Sequence, residues 1–444
     1  MTTDLLTHAA DLLRAAKAAG ADSADTLLVS GTSVSVQRRK GMTEETERAE
    51  ARELGLRVFV GQQSAIVSAS TIDPASFARL AEQAVAMARV VPEDPFSSIP
   101  EAPPALDAAF LDLDDPNEPS METLIHRAAV AEDAAMSVPG ITNSDGALAS
   151  WGRSHVALAT SNGFAGAYTR SSHGISATSI AGSGTGMQRD YDYSSAQHAE
   201  DLDNPAGIGA RAAEQALARL NPTRPKTMKI PVIFHQRIAG GIIGSLSAAI
   251  NGASIARGTS YLKEKMGEQL FASNINIIDD PLRVRGARSR AFDGEGQRGA
   301  RRALIESGVL TSWIMDSRSA RQLGLASTGH ASRGTSGPPG PSASNLYLEA
   351  GTLTPAALME DIVEGVLITE MMGGGVNGIT GDYSRGAAGF MIRNGQIAEP
   401  VAEFTLAGHA LEMFKNLIPA NDLIFKRGTD APTIRIDGLT LAGA

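Results

Sequence analysis

An α+β fold is predicted: an N-terminal, sandwich-like α/β region, then a C-terminal domain rich in antiparallel β-sheet with a few helices. Three observations lead there. β-prone runs are joined by glycine-bearing turn doublets, Gly61-Gln62, Asn162-Gly163 and Asn394-Gly395. Helical stretches open on a capping residue followed by proline, as at Asp73-Pro74, Asn204-Pro205 and Thr354-Pro355. Strands and helices do not alternate as repeated βαβ units.

Residues 4–19 read as an amphipathic helix, with Leu5, Leu6, Leu12, Leu13 and Ala16 near a 3.6 period and Gly20 as its stop. Strand-like runs follow at 25–29, 33–37, 54–60 and 64–68. A helix from Asp73-Pro74 to about Arg89 and a Pro-rich connector over 91–104 complete a first domain, residues 1–100. A second region, 101–222, holds a helix near 121–135, then strand-like runs at 147–151, 155–161, 165–172 and 174–182. The helix from Asn204-Pro205 to about Leu220 closes it, and Pro222 and Pro225 mark the boundary. The third, 223–444, begins with a buried strand at 229–234 and a helix over 236–250. Short apolar runs at 308–314, 389–392 and 397–401 follow, with a helix expected from Thr354-Pro355.

Composition narrows the function classes. Lys plus Arg number 39 against 49 Asp plus Glu, a formal charge of −10, which disfavours a broad nucleic-acid footprint. Cysteine is absent, which excludes disulfides, thiolate metal sites and a cysteine nucleophile. Neither a signal-peptide pattern after Met1 nor an apolar run of membrane-spanning length is visible, so a cytoplasmic protein without membrane contact is expected.

Motifs for chemistry are weak. Gly182–Gly186 lacks the Lys-Ser/Thr of a phosphate loop and reads as flexible. Gly373-Gly374-Gly375 reads as a turn after a helix or as a close approach to a ligand. The eight histidines show no H-x-x-x-H pair. Asp279-Asp280 and Asp293/Glu295 read as solvated loop charge, with Ca²⁺ or Mg²⁺ ligation as the alternative.

Several ordered segments together resemble the PmbA/TldE family, the "modulator of DNA gyrase" proteins. They are L-G-L-R-V-F (54–59), P-E-D-P (92–95), M-Q-R-D-Y-D-Y (187–193), S-Y-L-K-E-K-M-G-E-Q-L-F (260–271), F-D-G-E-G (292–296), S-A-R-Q-L-G (319–324) and G-V-N-G-I-T-G-D-Y-S-R-G-A-A-G-F (375–390). The resemblance implies one half of a two-subunit zinc metalloprotease. A TldD-type partner carries the H-E-x-x-x-H helix and a cysteine ligand, and unstructured peptides reach the zinc through a cavity between the subunits.

The corresponding stretch here is His235-Gln236-Arg237-Ile238-Ala239-Gly240. Gln236 stands where the general-base glutamate would be and Gly240 where the second histidine would be. An amide is not a usable base near neutral pH, and glycine offers no ligand. No catalytic or metal-binding residue is therefore expected in this chain, and zinc is expected in the partner.

Two segments are candidates for the peptide channel or a subunit contact. One is His235 with the small-residue helix after it, for which close packing on the preceding strand is the alternative. The other is the loop carrying Asn377, Asp382, Tyr383, Ser384 and Arg385, which either orders a sheet edge for an added peptide strand or is fixed by an internal Asp382–Arg385 salt bridge. The expected function is a non-catalytic, channel-shaping subunit. The alternatives are a homodimeric peptide-binding or regulatory protein without peptidase activity, and a stand-alone hydrolase with an unorthodox metal site.

Overall fold

The computed structural model describes residues 2–101 and 107–444, so Pro103 and Pro104 of the expected connector lie outside the described residues. The N-terminal half is one six-stranded antiparallel sheet of β1 (Ser23–Arg39), β2 (Met42–Val60), β3 (Gln63–Ala69), β4 (Ile141–Thr160), β5 (Ala165–Ala181) and β6 (Gln188–Ala196). Its spatial order is β3-β2-β1-β4-β5-β6, so residues from both sides of the connector share one sheet. A strand of 20 residues such as β4 spans roughly 60 Å, more than one helix pair can cover.

Two pairs do the work. α1 (Thr2–Ala18) and α2 (Phe77–Ala88) bury Leu5, Leu12, Leu80 and Val85 on Leu28, Leu54, Leu56 and Val58. α3 (Met121–Met136) and α4 (Pro205–Ala218) cover the distal half. There Leu124 and Ala128 meet Val34, Val36, Ala149 and Trp151, while Ile208 and Ala212 meet Ile175 and Ala177. The expected helix starts hold: Asp73 and Asn204 each accept a backbone N–H at the first turn.

The strand runs expected separately at 25–29 and 33–37 are one strand, as are 147–151 with 155–161 and 165–172 with 174–182. Glycines and serines at Gly31, Gly152 and Gly174 look like breaks in sequence. In the sheet they occupy a solvent-facing row, while alternate positions such as Ser171, His173, Ile175 and Ala177 stay buried.

The C-terminal half contains β7 (Met228–Phe234), α5 (Gln236–Ala249), α6 (Gly252–Ala256), β8 (Ile277–Asp279), β9 (Arg302–Glu306), β10 (Val309–Leu310) and α7 (Ser317–Gln322). After these come β11 (Ala331–Ser332), β12 (Gly340–Pro341), β13 (Leu346–Leu348), β14 (Glu364–Val376), β15 (Asp382–Arg393) and β16 (Gln396–His409). The chain ends with α8 (Ala410–Lys415), β17 (Leu417–Pro419), β18 (Thr429–Asp430) and β19 (Ile434–Ala442). The large sheet runs β16-β15-β14-β7-β19-β17, and an added β16–β19 pairing closes five strands into a ring. Most pairs are antiparallel; β7–β14 and β13–β18 are parallel.

Ile230, Val232 and Phe234 of β7 face the core shared with Ile242, Ile243 and Leu246 of α5. Ile233, on the other face, meets Leu358, Met359 and Ile362. Asn394 and Gly395 both take positive φ, 48° and 78°, as the β15–β16 hairpin turn requires. Two expectations fail here. Residues 355–361 form successive turns rather than a helix, although Thr354 Oγ1 does accept the Ala357 N–H at 3.1 Å. Gly373–Gly375 lies inside β14 at a register irregularity, not after a helix.

The halves meet on the second face of the N-terminal sheet. Leu27, Leu158 and Phe164 pack with Ala291 and Phe292, and Phe164 meets Phe292 edge-on at 5.2 Å. Beside them Asp25 is buried between Arg57 and Arg333. Burial alone would raise its pKa, but the Arg333 and Arg57 guanidinium groups hold it below the usual carboxylate range.

Candidate functional site

His235 follows β7 directly and is the N-cap of α5, its backbone N–H bonded to the Ile368 carbonyl of β14 at 3.0 Å. The imidazole Nδ1 accepts the Arg237 N–H at 3.2 Å, so in the neutral ring the proton sits on Nε2. Burial first, and then the Arg237 cation, push the His235 pKa below its ordinary value. The ring is thus a helix cap with one nitrogen committed. Gln236 and Arg237 share a cavity with it, and Arg237 is anchored by Asp190 at 2.7 Å and by Gln215.

Gly240 turns toward β18. A Cβ built there would lie 2.5 Å from the Thr429 carbonyl oxygen, so backbone fills the volume a second histidine would need. Among the described residues no three His, Asp or Glu side chains converge as a metal site would require. Zinc would need about three protein ligands and an open position, and this set of residues does not fit it.

The acidic pairs are structural rather than solvated. Asp279 is buried, accepting from Ser344 N at 2.7 Å and facing His330 Nε2 at 3.0 Å. Asp293 accepts the N–H groups of Glu295, Gln297 and Ala331, and Glu295 accepts that of Ser317 at 2.9 Å. Burial and the neighbouring Asp293 push Glu295 up to about 7.

The second candidate segment lies farther along α5, where Arg385 of the loop stands 3.8 Å from a Cβ built on Gly241. Asn377 Oδ1 accepts the N–H groups of Ile379 and Thr380, and Asp382 accepts from Thr380 Oγ1 at 2.7 Å. The expected Asp382–Arg385 salt bridge is not formed. Side chains three apart on a strand point to opposite faces, and Arg385 Nε donates instead to the Gly373 carbonyl at 3.0 Å. Tyr383 is buried, with its hydroxyl 4.0 Å from Met371 sulfur, and burial pushes its pKa up. Ser384 is exposed on β15.

The structure thereby separates His235 from the loop but brings the loop to the small-residue helix. Gly241, Ser245 and Ala248, on one helical face, line a cavity of about 420 Å³ with Tyr261, Val376 and Gly378. The place of Val376, at the end of β14, in this lining was not legible in sequence. β14 pairs with β7 only over Val366–Ile368; β7 stops at Phe234 because His235 begins the helix. Residues 369–376 therefore run on with no strand beside them on that side among the described residues. The Tyr261 hydroxyl is buried with no hydrogen-bond partner among the described residues. Its place in the 260–271 segment was the one sequence signal for it.

Three consecutive family models match this chain: PmbA/TldA metallopeptidase domain 1 over residues 24–88, the central domain over 114–220 and the C-terminal domain over 227–443. The chain is similar to the metalloprotease PmbA of Escherichia coli O157:H7, 34% identical over 425 residues, 95% of this chain and 92% of that one. Its fold is similar to that of a proposed modulator of DNA gyrase from Bacteroides thetaiotaomicron VPI-5482. There the TM-score is 0.88 at 24% identity, covering 99% of this chain and 98% of that one. TldE from Thermococcus kodakarensis is similar too, with a TM-score of 0.86 at 19% identity over 98% and 100% of the two chains. The family models and the PmbA relative thus place the chain in the PmbA/TldD metallopeptidase class. Within it, the chain belongs to the PmbA/TldE family.

Proposed function

We propose that this chain is the non-catalytic, TldE-type subunit of a two-subunit zinc metalloprotease, shaping the channel for unstructured peptides while a TldD-type partner holds the zinc. The observation that carries the reading is the Thr429 carbonyl standing 2.5 Å from where a Gly240 side chain would begin. It accompanies a glutamine at the general-base position and a histidine already used as a cap. The peptide half of the reading is supported by the unpaired run of β14 beside the Gly241/Ser245/Ala248 face. Main-chain hydrogen bonds to such an edge bind extended chains with little regard for sequence.

The test is to assay purified protein for zinc content and for cleavage of a disordered peptide, alone and mixed with a TldD-type subunit. No stoichiometric zinc and cleavage only in the mixture are expected. Tightly held zinc with cleavage by the chain alone would overturn the proposal.

A further inference from the structure

Two adjoining cavities open where β5 and β6 face residues 283–288 and 424–430. One, of about 470 Å³, is walled by Tyr191, Tyr193, Arg237 and Arg427 among others. The second, of about 270 Å³, is walled by Arg170, Arg283 and Phe425 among others. Lys426 and Asp430 line both, which makes them parts of one cleft.

The carboxylates of this cleft are already committed. Asp192 and Asp203 hold Arg211, and Asp203 also holds Lys426 at 3.1 Å. Asp190 holds Arg237 and Arg219. The buried Asp430 accepts the backbone N–H groups of Lys426, Arg427 and Gly428 at 3.1, 3.0 and 3.1 Å. Among the described residues, no carboxylate lies within 4.0 Å of the guanidinium groups of Arg170, Arg283 or Arg427.

Neutral partners fix these three instead. Arg170 donates to the Ala287 carbonyl at 2.6 Å. Arg283 lies 3.4 Å from the Phe425 ring centroid, and Arg427 lies 5.2 Å from that of Tyr193. A guanidinium held against a ring face is oriented but keeps its N–H edge for a planar anion. The cleft thus gathers three guanidinium groups, on Arg170, Arg283 and Arg427, whose charge no carboxylate partner neutralises among the described residues. Tyr191, Ile424 and Phe425 in the same walls are 46%, 50% and 41% exposed. Arginine among exposed aromatic and aliphatic groups is the composition of a peptide-docking hot spot.

We infer that this cleft docks an acidic peptide segment in extended form. Its carboxylates are taken by Arg170, Arg283 and Arg427, and its apolar side chains rest on Tyr191, Ile424 and Phe425. The inference rests on the reading that the chain handles unstructured peptides and adds to it a preference in charge. Side-chain carboxylates and a C-terminal carboxylate would satisfy the same arginines. A nucleic acid would bring its phosphates against the acidic remainder of the surface, with nothing for the apolar wall.

Fluorescence anisotropy with the full chain at low salt tests this, using a labelled, C-terminally amidated peptide of alternating Glu and aliphatic residues. Its Gln counterpart, amidated and with a free C-terminus, forms the other arms. The Glu peptide should bind about tenfold more tightly than the amidated Gln peptide, and added salt should erase the difference. The double variant R283Q/R427Q should lose that tenfold preference and bind the two amidated peptides alike, with circular dichroism confirming that it is folded. Tighter binding of the free-C-terminus Gln peptide than of the Glu peptide would move the site to a terminal carboxylate, against the proposed segment. Equal affinity for both amidated peptides, an unaltered double variant, or displacement of the Glu peptide by an equimolar oligonucleotide would overturn the inference. Failure of every peptide to bind would instead count against the underlying peptide-handling reading.

Discussion

At the scale of single residues, the glycines of α5 separate packing from open space. Gly240 faces the Thr429 carbonyl at a distance no real Cβ adopts, whereas Gly244 has no atom within 4 Å of its built Cβ. Gly240→Ala should therefore cost about 1–3 kcal/mol through a backbone shift. Gly244→Ala should gain about 0.5–1 kcal/mol from helix propensity alone. Denaturant unfolding of the two variants checks the pair, and equal effects would contradict the assigned packing. Glu295 makes a second case. Its folded pKa of about 7 lies above the ordinary glutamate value of 4.5, so the folded state holds this proton more tightly than the unfolded chain. The contribution to stability is complete below about pH 4.5 and is lost as pH rises through about 7. Glu295→Gln should leave the melting temperature near pH 5 unchanged and raise it by a few degrees near pH 8. Melts that fall in parallel for both proteins across that window would remove Glu295 as the cause.

At the scale of elements, the groove between α5 and β14 depends on what α5 lacks. Gly241 is exposed and its built Cβ meets only the tip of Arg385, at 3.8 Å. Gly241→Leu should stabilise the helix by about 0.5–1 kcal/mol while filling the groove, so a disordered peptide should bind this variant several-fold more weakly. Undiminished binding in a stable variant would show that the peptide goes elsewhere. The helix was legible because its apolar residues keep a 3.6 period and its start is marked by the end of an apolar strand. The groove was not, because its second wall is defined by where β7 stops relative to β14, a fact about pairing that neither segment carries alone. The long strands of the first sheet were misread as pairs for a related reason. Ser and Gly on a solvated row resemble turn chemistry until the buried row beneath them is known.

For the whole molecule, the junction of the two halves rests on a buried Asp25 shared by Arg57 and Arg333. Arg333 comes from the C-terminal half, and its loss would leave a buried carboxylate with one cation. Arg333→Met should destabilise the protein by about 3 kcal/mol. Its unfolding should also become less cooperative, the N-terminal sheet and the C-terminal ring melting at separable temperatures. Calorimetry checks this, and a single transition at the parental temperature would show that the apolar contact around Phe164 and Phe292 suffices to join them.

The sequence by itself determined the fold class, because strand and helix periodicities are local and the cap and turn residues that punctuate them act within a few positions. It also determined family membership, through ordered segments spread along the chain, and that Gln236 offers no general base, because an amide cannot act as one in any fold. Only the tertiary structure decided that Gly240 has no room for a ligand and that His235 serves as a helix cap. It also decided that the loop at Asn377–Arg385 meets the bare face of α5 rather than His235. Each of these is a distance between segments remote in sequence, and such distances are set by strand pairing and packing.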